Sequence, residues 1–232
     1  MPLAVANRFL ASLTPACRHG LMAHCREIDL PVHTVLYELG QEVTHAYFLT
    51  SGFASQVISG SDTASVEVGV IGCEGLVGWT ALLGTPVAPG RGFMQAAGAG
   101  FVLPLSVLKQ AFASTDEIRS RVLEFAQQQI MTGIYLGACN KLHETEPRFA
   151  RWLLTAQDRL EIDPLPLRQE FLAQMLGTRR MTVTMVAGAL QRSGLIEYWR
   201  GHIRILDRPG LEAVACECYA RLKELHDALY RS

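Results

Sequence analysis

The sequence predicts an α+β protein of two domains: a compact antiparallel roll, then one long helix, then a small helical unit closed by a hairpin. Three observations carry this prediction. Short β-rich runs recur between Thr34 and Leu105, a proline-free stretch spans Ser114 to His143, and two short helical patterns around Gly177 precede a final pair of strands. At 232 residues the chain is long enough for two units, each with its own core.

Residues 5 to 27 carry apolar positions at helical spacing that Leu30-Pro31 ends, so two short helices are expected to open the chain. The runs TVLYEL, AYFLTSG, ASQVIS, VEVGVI, GFMQAAG and GFVLPL follow, punctuated by Gly, Pro and Ser-Asp. That rhythm suits an antiparallel barrel or jelly roll over residues 1–113. Ser114 reads as an N-cap before Asp116 and Glu117, opening one helix over 114–143. Ile118, Val122, Phe125, Gln129, Thr132 and Leu136 form one stripe on it; Leu123, Ala126, Ile130, Gly133 and Gly137 form a second. Two buried faces call for a second surface, most simply another copy of the chain, with Ile118, Val122, Phe125, Ile130 and Leu136 as the dimerisation residues.

The run His143-Glu-Thr-Glu-Pro147 breaks the helix and marks the boundary of a C-terminal domain over 144–232, where a helix resumes at Arg148–Leu160. A loop with two prolines (161 to 167) leads to a short helix, Gln169 to Leu176, stopped at Gly177. A second helix, Met181 to Arg192, ends at Ser193-Gly194, and IEYW, the turn Arg200-Gly201-His202 and IRIL make a hairpin. Helix, turn, helix, hairpin is a winged helix-turn-helix.

Charge is unevenly spread. The net charge is −1, yet residues 168 to 208 hold seven arginines against three acidic residues, a local +4 that leaves −5 elsewhere. One basic face on an otherwise acidic chain fits nucleic acid better than the total suggests. The sequence has no run of about 18 apolar residues and no basic, apolar leader, so a cytoplasmic protein without a membrane partner is expected. HExxH, GxSxG and GxxxxGK[ST] are all absent, and an enzyme is not expected. The six cysteines read as free thiols in a reducing compartment. Cys17 and Cys25 lack a known metal spacing, and Cys216-x-Cys218 on a helix would aim its thiols about 200° apart, so no metal site is expected. Cys73 beside Glu74 reads as inert, since a carboxylate neighbour disfavours the thiolate.

The segment LAQMLGTRRMTVTMVAGALQRSGLIEYWRGHIRI (172 to 205) closely resembles the DNA-binding domain of the cyclic-AMP-receptor-like (CRP/FNR) superfamily of bacterial-type regulators. LPVHTVLYELGQEVTHAYFLTSGFASQV (30 to 57) and VEVGVIGCEGLVGWTALLG (66 to 84) look like that family's cyclic-nucleotide-binding-type β-roll and pocket loop. The resemblance implies a transcription regulator: a homodimer that binds an inverted repeat in double-stranded DNA, works with RNA polymerase and answers to an effector or redox signal in the roll. The alternative reading is a ligand-binding or protein-interaction module whose helix-turn-helix does not bind DNA.

In helix-turn-helix docking the N-terminal turn of the second helix enters the major groove, which puts Thr178, Arg179, Arg180, Thr182 and Thr184 at the duplex. The resemblance makes Arg180 a guanine reader, through O6 and N7 together. Met181 and Met185 replace residues that often read bases, and core packing is the commoner use of methionine. Arg168 stands where relatives place a capping hydroxyl; with Gln169, Arg200 and His202 it completes the expected DNA contacts. The resemblance also marks Gly75, Gly78, Trp79, Arg91 and Gly92 as the effector pocket. Trp79 replaces the glutamate that would accept a ribose hydroxyl, which argues against cyclic AMP. Nothing in the spacing supports haem or an iron–sulfur cluster, and the effector is left unassigned.

Overall fold

The computed structural model describes residues 6–60, 65–160 and 164–230. Two compact units emerge, one holding Met1–Gln56, Gly69–Met131 and His226–Ser232, the other Val57–Val68 and Thr132–Leu225.

The first unit opens with α1 (Arg8–Ala11) and α2 (Pro15–Met22). Asn7 caps α1 by accepting from Leu10 N at 3.0 Å, while its amide donates to the carbonyls of Leu49 and Gly75, so one buried side chain seats the helix on the roll. Six of the unit's strands follow: β1 (Arg26–Leu30), β2 (Val35–Tyr37), β3 (His45–Leu49), β4 (Phe53–Ser59), β5 (Ser65–Ile71) and β6 (Arg91–Ala96); β7 (Gly98–Pro104) closes the roll. β1, β7 and β3 form an antiparallel sheet, and β2, β6, β4 and β5 form a second one. Phe9, Phe48, Leu49, Ile71, Leu76, Met94, Leu103 and Phe125 fill the core.

The strand runs read from the sequence are all present. Residues 26–30, expected at the end of the opening helices, instead pair with β7 as β1. The Ser61-Asp62 punctuation lies outside the described residues. After β7 comes α3 (Leu105–Ser114), which the sequence reading missed because Leu105 passed as the end of a strand. Ser114 is therefore the last residue of α3, its hydroxyl donating to Gln110 O, and Thr115 separates it from α4 (Asp116–Leu142).

The dimerisation assignment needs a physical correction. Ile118, Val122 and Phe125 are 0–3% exposed and belong to the chain's own core, and Leu136 is buried as well. Burial inside the chain leaves these four no surface for a partner. The second stripe is only partly open: Ala126 is buried in the core, while Leu123 and Ile130 are about half exposed, at 48% and 53%, in line with Ile134 at 60%.

In the second unit α5 (Thr145–Leu160) packs on α7 (Arg180–Arg192) and α8 (Arg208–Val214), and α6 (Gln169–Met175) packs on α7. β9 (Ile196–Trp199) and β10 (His202–Ile205) form the hairpin, and β8 (Leu165–Pro166) adds a third strand beside β10 where a plain loop was expected. Part of that loop, 161–163, lies outside the described residues. α9 (Cys218–Ala228) is the last helix among the described residues. No helix among the described residues is long and apolar enough to cross a membrane.

Candidate nucleic-acid interface

The turn between α6 and α7 is built by Gly177, whose φ of +58° is a left-handed conformation that costs a side-chain residue energy. Its N–H donates to Gln174 O, and Thr178 N reaches back to Ala173 O at 2.9 Å. Val183, Ala187 and Leu190 are the buried face of α7, against Leu172, Met175 and Leu176 in the same unit. The other face of α7 therefore points to solvent by helical periodicity, with Arg180, Met181, Thr184 and Met185 exposed.

This places the two methionines outside the core. Met181 and Met185 are 78% and 67% exposed, so the core reading fails for both. They stand beside Arg180 and Thr184 on the outward face, where an apolar side chain suits a thymine methyl.

Arg180 Nη1 donates to Glu170 Oε1 at 2.8 Å, both groups well exposed, and Thr184 Oγ1 donates to Gln169 Oε1 at 2.9 Å. The first turn of α6 thus holds the first turn of α7 in place. Thr178, Arg179 and Thr182 line an open groove of about 780 Å³ with Glu170, Gln174 and Ser65. Arg168 and Arg179 occupy the N-cap positions of α6 and α7 without capping through their side chains, as expected for Arg168. Neither helix start is thus capped by its N-cap side chain, and each has a guanidinium at that position, an arrangement that attracts anions.

The wing turns through Arg200 (φ +44°) and Gly201 (φ +81°), a two-residue hairpin turn with both residues left-handed. His202 belongs to β10, paired with Trp199, rather than to the turn. Its ring stacks on Trp199 at 6.0 Å, and Arg204 lies over the same indole, 5.3 Å from its centroid. Among the described residues no carboxylate pairs with Arg168, Arg179 or Arg200, which leaves three cations for phosphates. Arg208 is different: it bonds Gln157, Asp158, Glu212 and the Tyr219 hydroxyl, so its charge is spent inside the unit. The basic face is one arginine smaller than the sequence count.

The five residues expected to form an effector pocket find packing partners in the first unit. A Cβ on Gly75 would sit 2.2 Å from the Phe125 ring, and one on Gly92 would sit 2.4 Å from Tyr37. These glycines make room for aromatic rings. Trp79 is buried edge-on against Phe125 at 6.2 Å, following Gly78, whose φ is +91°. Arg91 is half exposed, 3.3 Å from Glu38 and stacked over Phe93, so its guanidinium is already engaged.

Sequence reasoning missed a third cluster. Cys139, His143, Cys216 and Cys218 offer ligand atoms that all lie within 4.8 Å of one another. The argument from thiols 200° apart assumed that Cys216 is helical. It stands in the turn before α9, and that turn brings both thiols to one side.

Residues 147–214 match the Crp-like helix-turn-helix domain. No curated protein matches the sequence. Among solved structures the chain is similar to a candidate transcriptional regulator of the Crp/Fnr family from Eubacterium rectale, with 16% identity and a TM-score of 0.73 over 90% of this chain and 98% of that one. It is also similar to FixK2 from Bradyrhizobium japonicum, with 14% identity and a TM-score of 0.71 over 83% and 98% of the two chains. The c-di-GMP-responsive global regulator CLP of Xanthomonas campestris gives 17% identity and a TM-score of 0.69 over 83% and 99%. The chain has the fold seen in Crp/Fnr-family regulators, and its residues 147–214 match the Crp-like helix-turn-helix domain.

Proposed function

We propose that the protein is a sequence-specific DNA-binding transcription regulator that acts as a homodimer on an inverted repeat. The observation that carries this reading is the outward face of α7, where Arg180, Met181, Thr184 and Met185 are exposed together beside the uncapped starts of two helices. Arg180, Thr182 and Thr184 read base edges in the major groove, while Arg168, Gln169, Thr178, Arg179, Arg200 and His202 hold phosphates. Two-fold symmetry then sets half-sites about one helical turn, roughly 34 Å, apart. RNA polymerase is the further partner, and an effector or thiol change in the roll controls the dimer. Supporting that control, Trp79 Nε1 and Gln95 Oε1 are buried in the first unit without hydrogen-bond partners among the described residues, and such groups commonly mark a place completed by a polar ligand or water.

The test is selection of binding sites from random duplex DNA by the purified full chain, followed by a salt titration on the winner. A palindromic site whose affinity falls steeply with salt is expected. No binding at low salt overturns the reading and favours a protein-interaction module.

A further inference from the structure

Cys139 lies in the last turn of α4 and His143 directly follows the helix, its N–H still bonded to Cys139 O at 3.1 Å, so the two stand about one turn apart, and Cys216 and Cys218 flank Glu217 where α9 begins. Cys139 Sγ is 3.5 Å from Cys216 Sγ, and Cys218 Sγ is 3.8 Å from His143 Nδ1. All three thiols are buried and none is in a disulfide, whose sulfurs would stand about 2.05 Å apart.

We infer that Cys139, His143, Cys216 and Cys218 form a tetrahedral Cys₃His site for one thiophilic divalent metal ion, of which zinc is the type. Four ligands at about 2.3 Å (sulfur) and 2.0–2.1 Å (nitrogen) from a tetrahedral centre stand roughly 3.5–3.8 Å from each other; the Cys139–Cys216 and Cys218–His143 pairs are at that spacing, and all four atoms lie within 4.8 Å, a small contraction from it. A four-iron cluster would hold its cysteines on separate irons and spread them more widely, so sulfurs this close suit a single ion. A ligand set rich in thiolate selects soft and borderline metals over magnesium or calcium.

Two further observations support the assignment. His143 Nε2 lies 3.1 Å from Glu217 Oε1, so the imidazole donates its N–H to a carboxylate and keeps Nδ1, the atom facing Cys218, as a lone-pair donor. That is the outer-sphere arrangement typical of metal-bound histidine. Arg148 and Arg151 are buried, at 9% and 5% exposure, and the Nε atom of each has no hydrogen-bond partner among the described residues. Their charges act on Cys139. Buried cations need an anion nearby, and three thiolates on a dication carry one net negative charge. With all four positions filled by protein, the ion has no open site for chemistry and fastens the end of α4 to the start of α9. The inference does not depend on the DNA-binding reading.

The full chain, reduced and stripped of metal, is titrated with cobalt(II). One cobalt per chain is expected, with a strong sulfur-to-cobalt charge-transfer band and the visible bands of tetrahedral coordination, displaced by one zinc. Cys216→Ser and His143→Gln should weaken or abolish those bands, while Glu217→Gln should keep their shape and lower affinity roughly tenfold to a hundredfold. Circular dichroism checks that each variant is folded, and His143, at the rim of the cluster, serves if a cysteine variant is not. Failure of the reduced protein to bind cobalt, an octahedral spectrum, or binding unchanged in the folded His143→Gln variant overturns the site.

Discussion

Arg180 and Glu170 form an ion pair at 2.8 Å that joins the first turns of α6 and α7, on the side where a duplex would lie. The pair is exposed, so it contributes little to folding, about 0–1 kcal/mol. In the free protein Glu170 holds the proposed base reader and also places a negative charge where DNA phosphates arrive. Glu170→Gln is therefore expected to leave thermal stability nearly unchanged and to tighten DNA binding a few-fold. Arg180→Ala should cost about 1–3 kcal/mol on the selected site and relax preference at one base pair of each half-site. Fluorescence anisotropy on the selected site and its single-base variants checks both.

The wing separates backbone from charge. Arg200 sits at φ +44°, which glycine adopts more easily, so Arg200→Gly is expected to leave the fold as stable or slightly more stable. The same change removes a cation with no carboxylate partner among the described residues. DNA affinity should fall about equally for all sequences, and the salt slope should shrink by about one. A sequence-dependent loss would assign Arg200 to base reading instead.

How far the sequence was legible follows from the range of the interactions involved. The strands and the winged helix-turn-helix rest on alternation, helical spacing and turn glycines, all local, and apart from β1 and β8 those elements are where they were expected. α3 escaped because Pro104-Leu105 reads equally well as the end of a strand or the start of a helix. The stripes of α4 were visible, but which one faces the chain's own core is a tertiary fact, and Ile118, Val122 and Phe125 took that side. The exposure of Met181 and Met185 followed from the face α7 turns inward, which methionine's chemistry does not reveal. The Cys₃His cluster was least legible of all: it needs residues 139 and 143 to meet 216 and 218, and the short turn at Cys216 gave no signal.

Trp152 Nε1 donates to Glu67 Oε1 at 2.8 Å, and both residues are buried in the second unit. Trp152→Phe keeps the aromatic bulk but strips one partner from a buried carboxylate, so a loss of about 1–3 kcal/mol is expected. Urea denaturation should show a lower midpoint with an unchanged slope.

Tyr37 titrates late. Burial pushes its hydroxyl up to about 12, against the amide of Gln56, which donates to it at 2.7 Å and works the other way. The folded pKa is raised, so the unfolded chain loses this proton first. The contribution is fully present below the unfolded value near 10 and is lost as pH climbs from about 10 through about 12. Two pH units correspond to about 2–3 kcal/mol. Tyr37→Phe should therefore show a shallower fall in stability over that window, whatever its stability at neutral pH. Equal slopes for the two proteins would show that the hydroxyl is not buried in solution.

The open stripe on α4 gives the sharpest test of the dimer. Leu123, Ile130 and Ile134 are spaced seven and four residues apart, with Gly137 continuing the line, and apolar residues so placed on an exposed face are costly unless covered. A second copy meeting the same stripe would bury it isologously, with the glycine allowing close approach. Charge should break that contact without touching the core, because the buried stripe lies on the other side of the helix. Ile130→Glu with Ile134→Lys is expected to give a folded monomer by sedimentation, with affinity for the full inverted repeat falling to that of one half-site. Phe125→Ala, by contrast, should destabilise each chain by about 3–5 kcal/mol, since it empties a core position. If the charged double variant stays dimeric and keeps full affinity, α4 is not the dimer interface and the two half-sites are joined elsewhere on the chain.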